Sequence, residues 1–212
     1  MPVIPFYGAE QPDLFAIERA AMDRPGRLIA ALDDRLPPGL ILDVGAGDGF
    51  TAAALTSTRR TVIPLEPAPG MVDTDRPLPW VQGEAEHLPF GPATFAGAYA
   101  TWAYFFSRNW DPDPGVGELH RVVRPGGPLL IAENLGNDEF CALADTEITA
   151  DPAFWGQRGF TCDAIETVFE FESIAEAETL LEFYFGESGR TGAATTLGYR
   201  IGLFTGESMG SG

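Results

Sequence analysis

Short apolar runs recur along the first two thirds of the chain, each closed by a polar or glycine-rich break. They fall at 40–44, 61–66, 78–82, 95–100 and 128–133, lengths that suit strands buried on both faces. Between them the apolar residues space three and four apart, which predicts helices near 50–58, 68–74 and 114–123. This alternation predicts an α/β fold: a parallel sheet with helices on both faces. Upstream, residues 1–11 form an extended apolar arm, and 12–35 are helical, broken at Pro25-Gly26. Downstream, 136–159 are irregular or partly helical. A strand over 160–171, an amphipathic helix from Ile174 to Phe185 and a last strand over 197–205 follow. There is no internal repeat and no second domain.

The sharpest break lies after Leu40–Val44. Gly45, Gly47 and Gly49 follow within five residues, and Phe50 to Leu55 resumes a helical pattern. Strand, glycine turn and helix together bring bare backbone against a nucleotide-like ligand. The next apolar run ends in Glu66, about twenty positions past the glycines, where a carboxylate can accept from ribose hydroxyls. The pair points to an adenosine-containing ligand. Either feature alone has an ordinary reading, a tight loop or a solvated acid.

Four segments in order then resemble the class I S-adenosylmethionine-dependent methyltransferases, particularly their small-molecule branch. They are Leu42-Asp43-Val44-Gly45-Ala46-Gly47-Asp48-Gly49, Leu65-Glu66-Pro67-Ala68-Pro69-Gly70-Met71, Gly83-Glu84-Ala85-Glu86-His87-Leu88-Pro89-Phe90, and Glu118-Leu119-His120-Arg121-Val122-Val123-Arg124-Pro125-Gly126-Gly127. The resemblance implies a Rossmann-like seven-stranded, mostly parallel sheet with an antiparallel last strand. It implies residues 1–36 as an arm and helices forming a lid and 37–205 as the methyltransferase domain; residues 206–212 read as a disordered tail. It also implies S-adenosylmethionine as cofactor. Gly45, Ala46 and Gly47 would meet its amino-acid end, with Asp43 holding the loop or the amine. Glu66 would take the ribose diol, Pro67 and Met71 would pack on adenine, Glu84 and the Ala85 amide would meet the ring's edge, and the Thr101 backbone would meet the methionyl amine. One departure is Ala96, where the family carries an acid. Ala96-Gly97-Ala98-Tyr99-Ala100 is also small for a central strand, which predicts close backbone packing.

The fourth strand leads into Thr101-Trp102-Ala103-Tyr104-Phe105-Phe106, with Trp110 beyond. These are too many large rings for one face to bury, so some are expected to line an acceptor pocket. Candidate acceptor contacts are Trp102, Tyr104, Glu133 and Asn134, with Phe6 and Tyr7 closing over the site. Tyr104 and Glu133 are the candidate bases, if the acceptor must lose a proton.

Composition narrows the partners. The formal net charge is −18, which disfavours nucleic acid and anionic membrane surfaces. All 13 basic residues are Arg, so a Walker-type lysine and a Schiff-base lysine are both absent. Cys141 and Cys162 lack metal-ligand spacing, His87 and His120 read as structural, and no metal is expected. Asp111-Pro112-Asp113-Pro114 reads as a loop ending in a helix cap. Gly206-Glu207-Ser208-Met209-Gly210 has the form of a hydrolase elbow but lacks the following helix and a downstream His. No basic-then-apolar leader or long apolar span appears, so the expected setting is cytoplasmic, with a small-molecule substrate. Monomer and homodimer both stay open. Two other readings stay open too: a nicotinamide-dependent oxidoreductase, which shares the glycine turn and ribose acid, and an S-adenosylmethionine-binding protein without transferase activity.

Overall fold

The computed structural model describes residues 7–105 and 111–210. Helix α1 (Tyr7–Glu10) and α2 (Pro12–Ala21) precede α3 (Arg27–Arg35). Then come β1 (Gly39–Val44), α4 (Phe50–Leu55), β2 (Arg60–Glu66), β3 (Val81–Gln82) and β4 (Gly97–Thr101). The chain continues through α5 (Asp113–Val122), β5 (Pro128–Asn134), α6 (Pro152–Gly156), β6 (Thr161–Glu170), α7 (Ile174–Thr191) and β7 (Thr196–Glu207). The seven strands form one sheet in the order β3-β2-β1-β4-β5-β7-β6. All neighbours are parallel except β7, which runs antiparallel to both β5 and β6. The sheet order reverses direction between β1 and β4, so their carboxyl ends border the crevice where α/β sheets bind ligands.

Two apolar layers flank the sheet. One joins Leu28 and Leu32 of α3, Ala52 and Leu55 of α4, and Ala177, Leu180 and Leu181 of α7 to Ile41, Tyr99 and Leu130. The other joins Val116, Leu119 and Val122 of α5 and Trp155 of α6 to Leu42, Ala98 and Ile131. Consecutive strand residues alternate between the layers, as a pleated strand requires.

The periodicity placed the main elements well, and the differences have local causes. The helix expected over 68–74 is only a 3-10 turn at Pro69–Met71, since Pro67, Pro69 and Gly70 oppose a longer helix. The strand expected over 78–82 shrinks to Val81–Gln82, because Pro77 and Pro79 cannot donate to a ladder. Pro64 is tolerated inside β2 for a related reason. The Leu65 carbonyl accepts from Gly45 and Ala46 on the β1 side. Pro64 therefore turns its nitrogen towards β3, which pairs only with Leu65 and Glu66. The small residues of β4 do allow close packing: a Cβ on Gly97 would stand 3.1 Å from Pro128. Helix α7 bends at Gly186 (φ 59°, ψ −136°).

The expected tail is a correction. Strand β7 extends through Gly206 and Glu207, and Ser208 is buried. The Ser208 hydroxyl donates to the carbonyls of His120 and Val123, both at 3.0 Å, and its backbone pairs with Gly126 and Gly127. That anchors it to the turn before β5 and leaves it unavailable as a nucleophile. Residues 211 and 212 lie outside the described residues.

Arg60 was not singled out from sequence, yet it clamps the substructure beneath the glycine turn. Its guanidinium is buried and donates to the carbonyls of Leu36 (2.6 Å), Asp33 (3.1 Å) and Leu55 (3.4 Å) and to the Asp33 carboxylate (2.6 Å). It thus satisfies carbonyls at the C-terminal ends of both α3 and α4, where the helix dipole favours a cation. Arg60→Met should cost about 2–3 kcal/mol through unsatisfied buried carbonyls. The melting midpoint should fall by roughly 4–12 °C for a domain of this size. A calorimetric scan showing an unchanged midpoint would refute the clamp.

Candidate functional site

The turn after β1 is built on glycine for a physical reason. Gly45, Gly47 and Gly49 all have positive φ (74°, 56° and 76°), a region costly for side chains. A Cβ on Gly45 would collide with the Ala103 side chain. The loop after β4 therefore lies directly on the turn, and the backbone of both is brought to the same crevice. Trp102, which starts that loop, itself has φ 45°.

Glu66 at the tip of β2 is 6% exposed and locks the neighbouring turns together. Its Oε2 accepts from the Gly47 amide at 2.8 Å and its Oε1 from the Ala68 amide at 2.9 Å. Burial raises its pKa, and the two amide donors oppose that. Each oxygen retains lone-pair capacity for a further donor. The ribose acid read from sequence is thus also the strut that shapes the glycine turn, a role that spacing alone did not reveal. Met71 is buried, with Gly8 and Phe15 close beside it. Pro67 is half-buried, and its carbonyl accepts from Gln82 at 3.5 Å. Ala85 is buried beside half-buried Glu84. Thr101 closes β4 opposite Ala132.

Asp43 lies at 1% exposure inside β1. Its Oδ2 accepts from the Tyr99 hydroxyl at 2.8 Å, while its Oδ1 is buried without a partner among the described residues. Burial pushes its pKa up to about 7, against the opposing hydrogen bond from Tyr99. A buried carboxylate oxygen left unsatisfied is uncommon, and this one lies beside the bare glycine turn.

The aromatic segment does not form one pocket. Trp102 and Asn134 belong to one face: the indole donates to Asn134 Oδ1 (3.1 Å) and to the Tyr199 hydroxyl (2.9 Å), and Asn134 donates to the Ile148 carbonyl (3.1 Å). Tyr104 goes to the other face. Its hydroxyl donates to Glu86 at 3.0 Å, and its ring covers Gly115. Burial and the Glu86 carboxylate hold its phenol well above the usual range. Glu133 is sealed at 1% exposure, neither of its oxygens has a partner among the described residues, and burial raises its pKa strongly. Burial thus raises the pKa of both candidate bases, Tyr104 with the help of the Glu86 carboxylate and Glu133 by burial alone. Phe6, Phe106 and Trp110 lie outside the described residues, and of Tyr7 only the backbone, opening α1, is described.

His120 accepts from the Met209 amide at 3.2 Å, a structural bond. Ligand atoms of Glu84, Glu86 and His87 lie within 4.8 Å of one another. Glu86 is engaged there by Tyr104. Among the described residues no helix is long and apolar enough to cross a membrane.

Asp43 makes a pH-dependent contribution whose sign follows from its raised pKa. Unfolded, it ionises near 3.8; folded, near 7. Between those values the native state holds the extra proton, so Asp43's contribution to stability falls as pH rises and is flat above. Asp43→Asn should remove that slope and stabilise the protein at pH 8, by at most about 4 kcal/mol at 1.36 kcal/mol per unit. Denaturant midpoints at pH 5 and pH 8 test this. A variant with the wild-type pH dependence would contradict it.

Residues 42–131 match the family model described as a methyltransferase domain. A demethylmenaquinone methyltransferase of Corynebacterium kroppenstedtii is 34% identical over 103 residues, covering 47% of this chain and 44% of that protein. The chain spans about half the length, or less, of the curated relatives it matches. Among solved structures, the YcgJ protein of Bacillus subtilis superposes with a TM-score of 0.58 at 17% identity, over 88% of this chain and 98% of that one. A SAM-dependent methyltransferase from Thermotoga maritima gives 0.57 at 15% identity over 94% of each chain. Strand order, the antiparallel β7 and the glycine turn agree with these likenesses: residues 42–131 match a methyltransferase domain, and the chain shares the fold of these solved structures.

Proposed function

We propose that this protein transfers the methyl group of S-adenosylmethionine to a small-molecule acceptor. The observation that carries this is the juxtaposition, at the carboxyl ends of β1 and β2, of a side-chain-free turn with Glu66 and the vacant Oδ1 of Asp43. These residues fit the cofactor: Glu66 has lone pairs for a diol, Asp43 an acceptor for an amine, and Met71 an apolar face for adenine. Bound there, S-adenosylmethionine supplies an electrophilic methyl on a good leaving group.

The chain's own task is alignment and exclusion of water. Ala103 closes on Gly45, and α1 covers Met71, so the site is roofed from two sides. Neither candidate base is placed to take a proton, because the Tyr104 hydroxyl donates to Glu86 and Glu133 is buried at 1% exposure. This favours an acceptor that is nucleophilic unaided or loses its proton in solution. The named activity of the demethylmenaquinone methyltransferases is in keeping with a small, largely apolar acceptor. The net charge of −18 likewise favours a small molecule over nucleic acid.

Calorimetry with S-adenosylmethionine and S-adenosylhomocysteine tests the cofactor, with NAD and NADP as the competing arm. Heat with the nicotinamide cofactors alone would transfer the site to an oxidoreductase. Glu66→Ala should weaken S-adenosylhomocysteine binding by about ten- to a hundredfold, the worth of charge-assisted bonds to a diol. The same variant should lose stability as well, because it frees the Gly47 and Ala68 amides. An unchanged dissociation constant would show that the acid does not touch the ligand.

A further inference from the structure

A cavity of about 590 Å³ lies between α2, the start of α3 and the turns that follow β1 and β2. That volume is in the range of small-ligand sites. Phe15, Ile29, Phe50 and Met71 give it apolar walls, and Arg19 and Arg76 place two cations on the same wall. In an acidic chain this pairing is conspicuous, since one carboxylate serves both. Asp48 lies 3.6 Å from Arg19 Nη2 and 3.4 Å from Arg76 Nη2. Arg76 gains a second contact from Asp73 at 3.1 Å. Arg19 Nε is buried with no acceptor among the described residues. Both guanidinium groups flank the Phe50 ring, at 5.0 and 5.7 Å from its centre. The other charges on the wall are committed elsewhere. Asp23 caps α3 through the amides of Arg27 and Leu28 and also accepts from Thr167. Arg24 reaches Glu172 and the Glu170 carbonyl.

We propose that this cavity binds a small molecule with an apolar body and a carboxylate, the carboxylate lying against Arg19 and Arg76. Two guanidinium groups offer ten N–H donors between them, far more than Asp48 and Asp73 occupy. A carboxylate takes such donors in pairs, with charge assistance, and the aromatic and methionine walls bury the remainder. The cavity adjoins the methyl-transfer site. Met71 lines both, and a Cβ on Gly47 would stand 3.9 Å from Met71 and 4.0 Å from Phe15. Identifying the bound molecule as the methyl acceptor rests on the function proposed above; the carboxylate site itself does not. The sources of a carboxylate are two, an acceptor or the aminoacyl end of the cofactor, and the structure favours the acceptor. Gly45, Ala46 and Gly47 are not among the residues lining the cavity, whereas Met22, Gly26 and Ile29, along α2 and at the start of α3, are.

The test uses the full chain with decanoate and decanol as matched probes, followed by calorimetry. Decanoate should bind about tenfold or more tightly than decanol. Arg19→Gln and Arg76→Gln should each remove most of that difference, with Arg19→Lys restoring part of it. S-adenosylhomocysteine affinity should stay within about twofold in both glutamine variants, and thermal melts report that they remain folded. Equal affinity for the two probes would overturn the proposal. So would a loss of S-adenosylhomocysteine binding matching the loss of decanoate, which would assign the arginines to the cofactor. If wild-type protein binds decanoate but not S-adenosylhomocysteine, the methyl-transfer reading fails and the carboxylate site stands.

Discussion

The Glu66 carboxylate is the interaction on which the site depends. It spans the turn after β1 and the turn after β2 by accepting from Gly47 and Ala68. Neither amide can be satisfied inside a strand or helix at that point, and a glycine turn has no side chains to hold it. One buried acid therefore sets the shape of a backbone that its glycines leave bare. Under the proposed function, structural and binding roles coincide in one carboxylate, so a substitution there cannot separate them cleanly, whereas the nearby Asp43 accepts from Tyr99 and has an oxygen with no partner among the described residues.

The layers beneath give that edge its rigidity. Arg60 ties the ends of α3 and α4 to the start of β2, and the anchored Ser208 closes the far side of the sheet against the turn before β5. Between them, the carboxyl ends of β1 and β4 diverge at the point where strand order reverses. The loop after β4 falls onto Gly45 because neither partner brings bulk to the contact.

Much of this was legible in the sequence because each signal was local. Apolar runs gave the strands, Gly45, Gly47 and Gly49 gave the turn, and Pro25-Gly26 gave the break between α2 and α3. What escaped depended on pairing across the chain. The spacing of Trp102 and Tyr104 showed two large rings near a strand end, but the positive φ at Trp102 sends them to opposite faces. Glu133 ends a strand as expected, yet its register opposite Gly202 leaves it sealed in the core. Arg19, Asp48 and Arg76 are separated by dozens of residues and converge only when α2 docks. The β7 extension was missed because Gly206, Ser208 and Gly210 have a loop-like composition, while the contacts that order them lie in α5 and the turn after it.

Hydrogen exchange with and without S-adenosylhomocysteine tests the central claim most directly, because it reads the backbone of the turn itself. The account predicts added protection at residues 43–49 and 66–71, with Gly47 and Ala68 prominent and the amides of β6 unchanged. Protection confined to other segments, or none at saturating ligand, would contradict it.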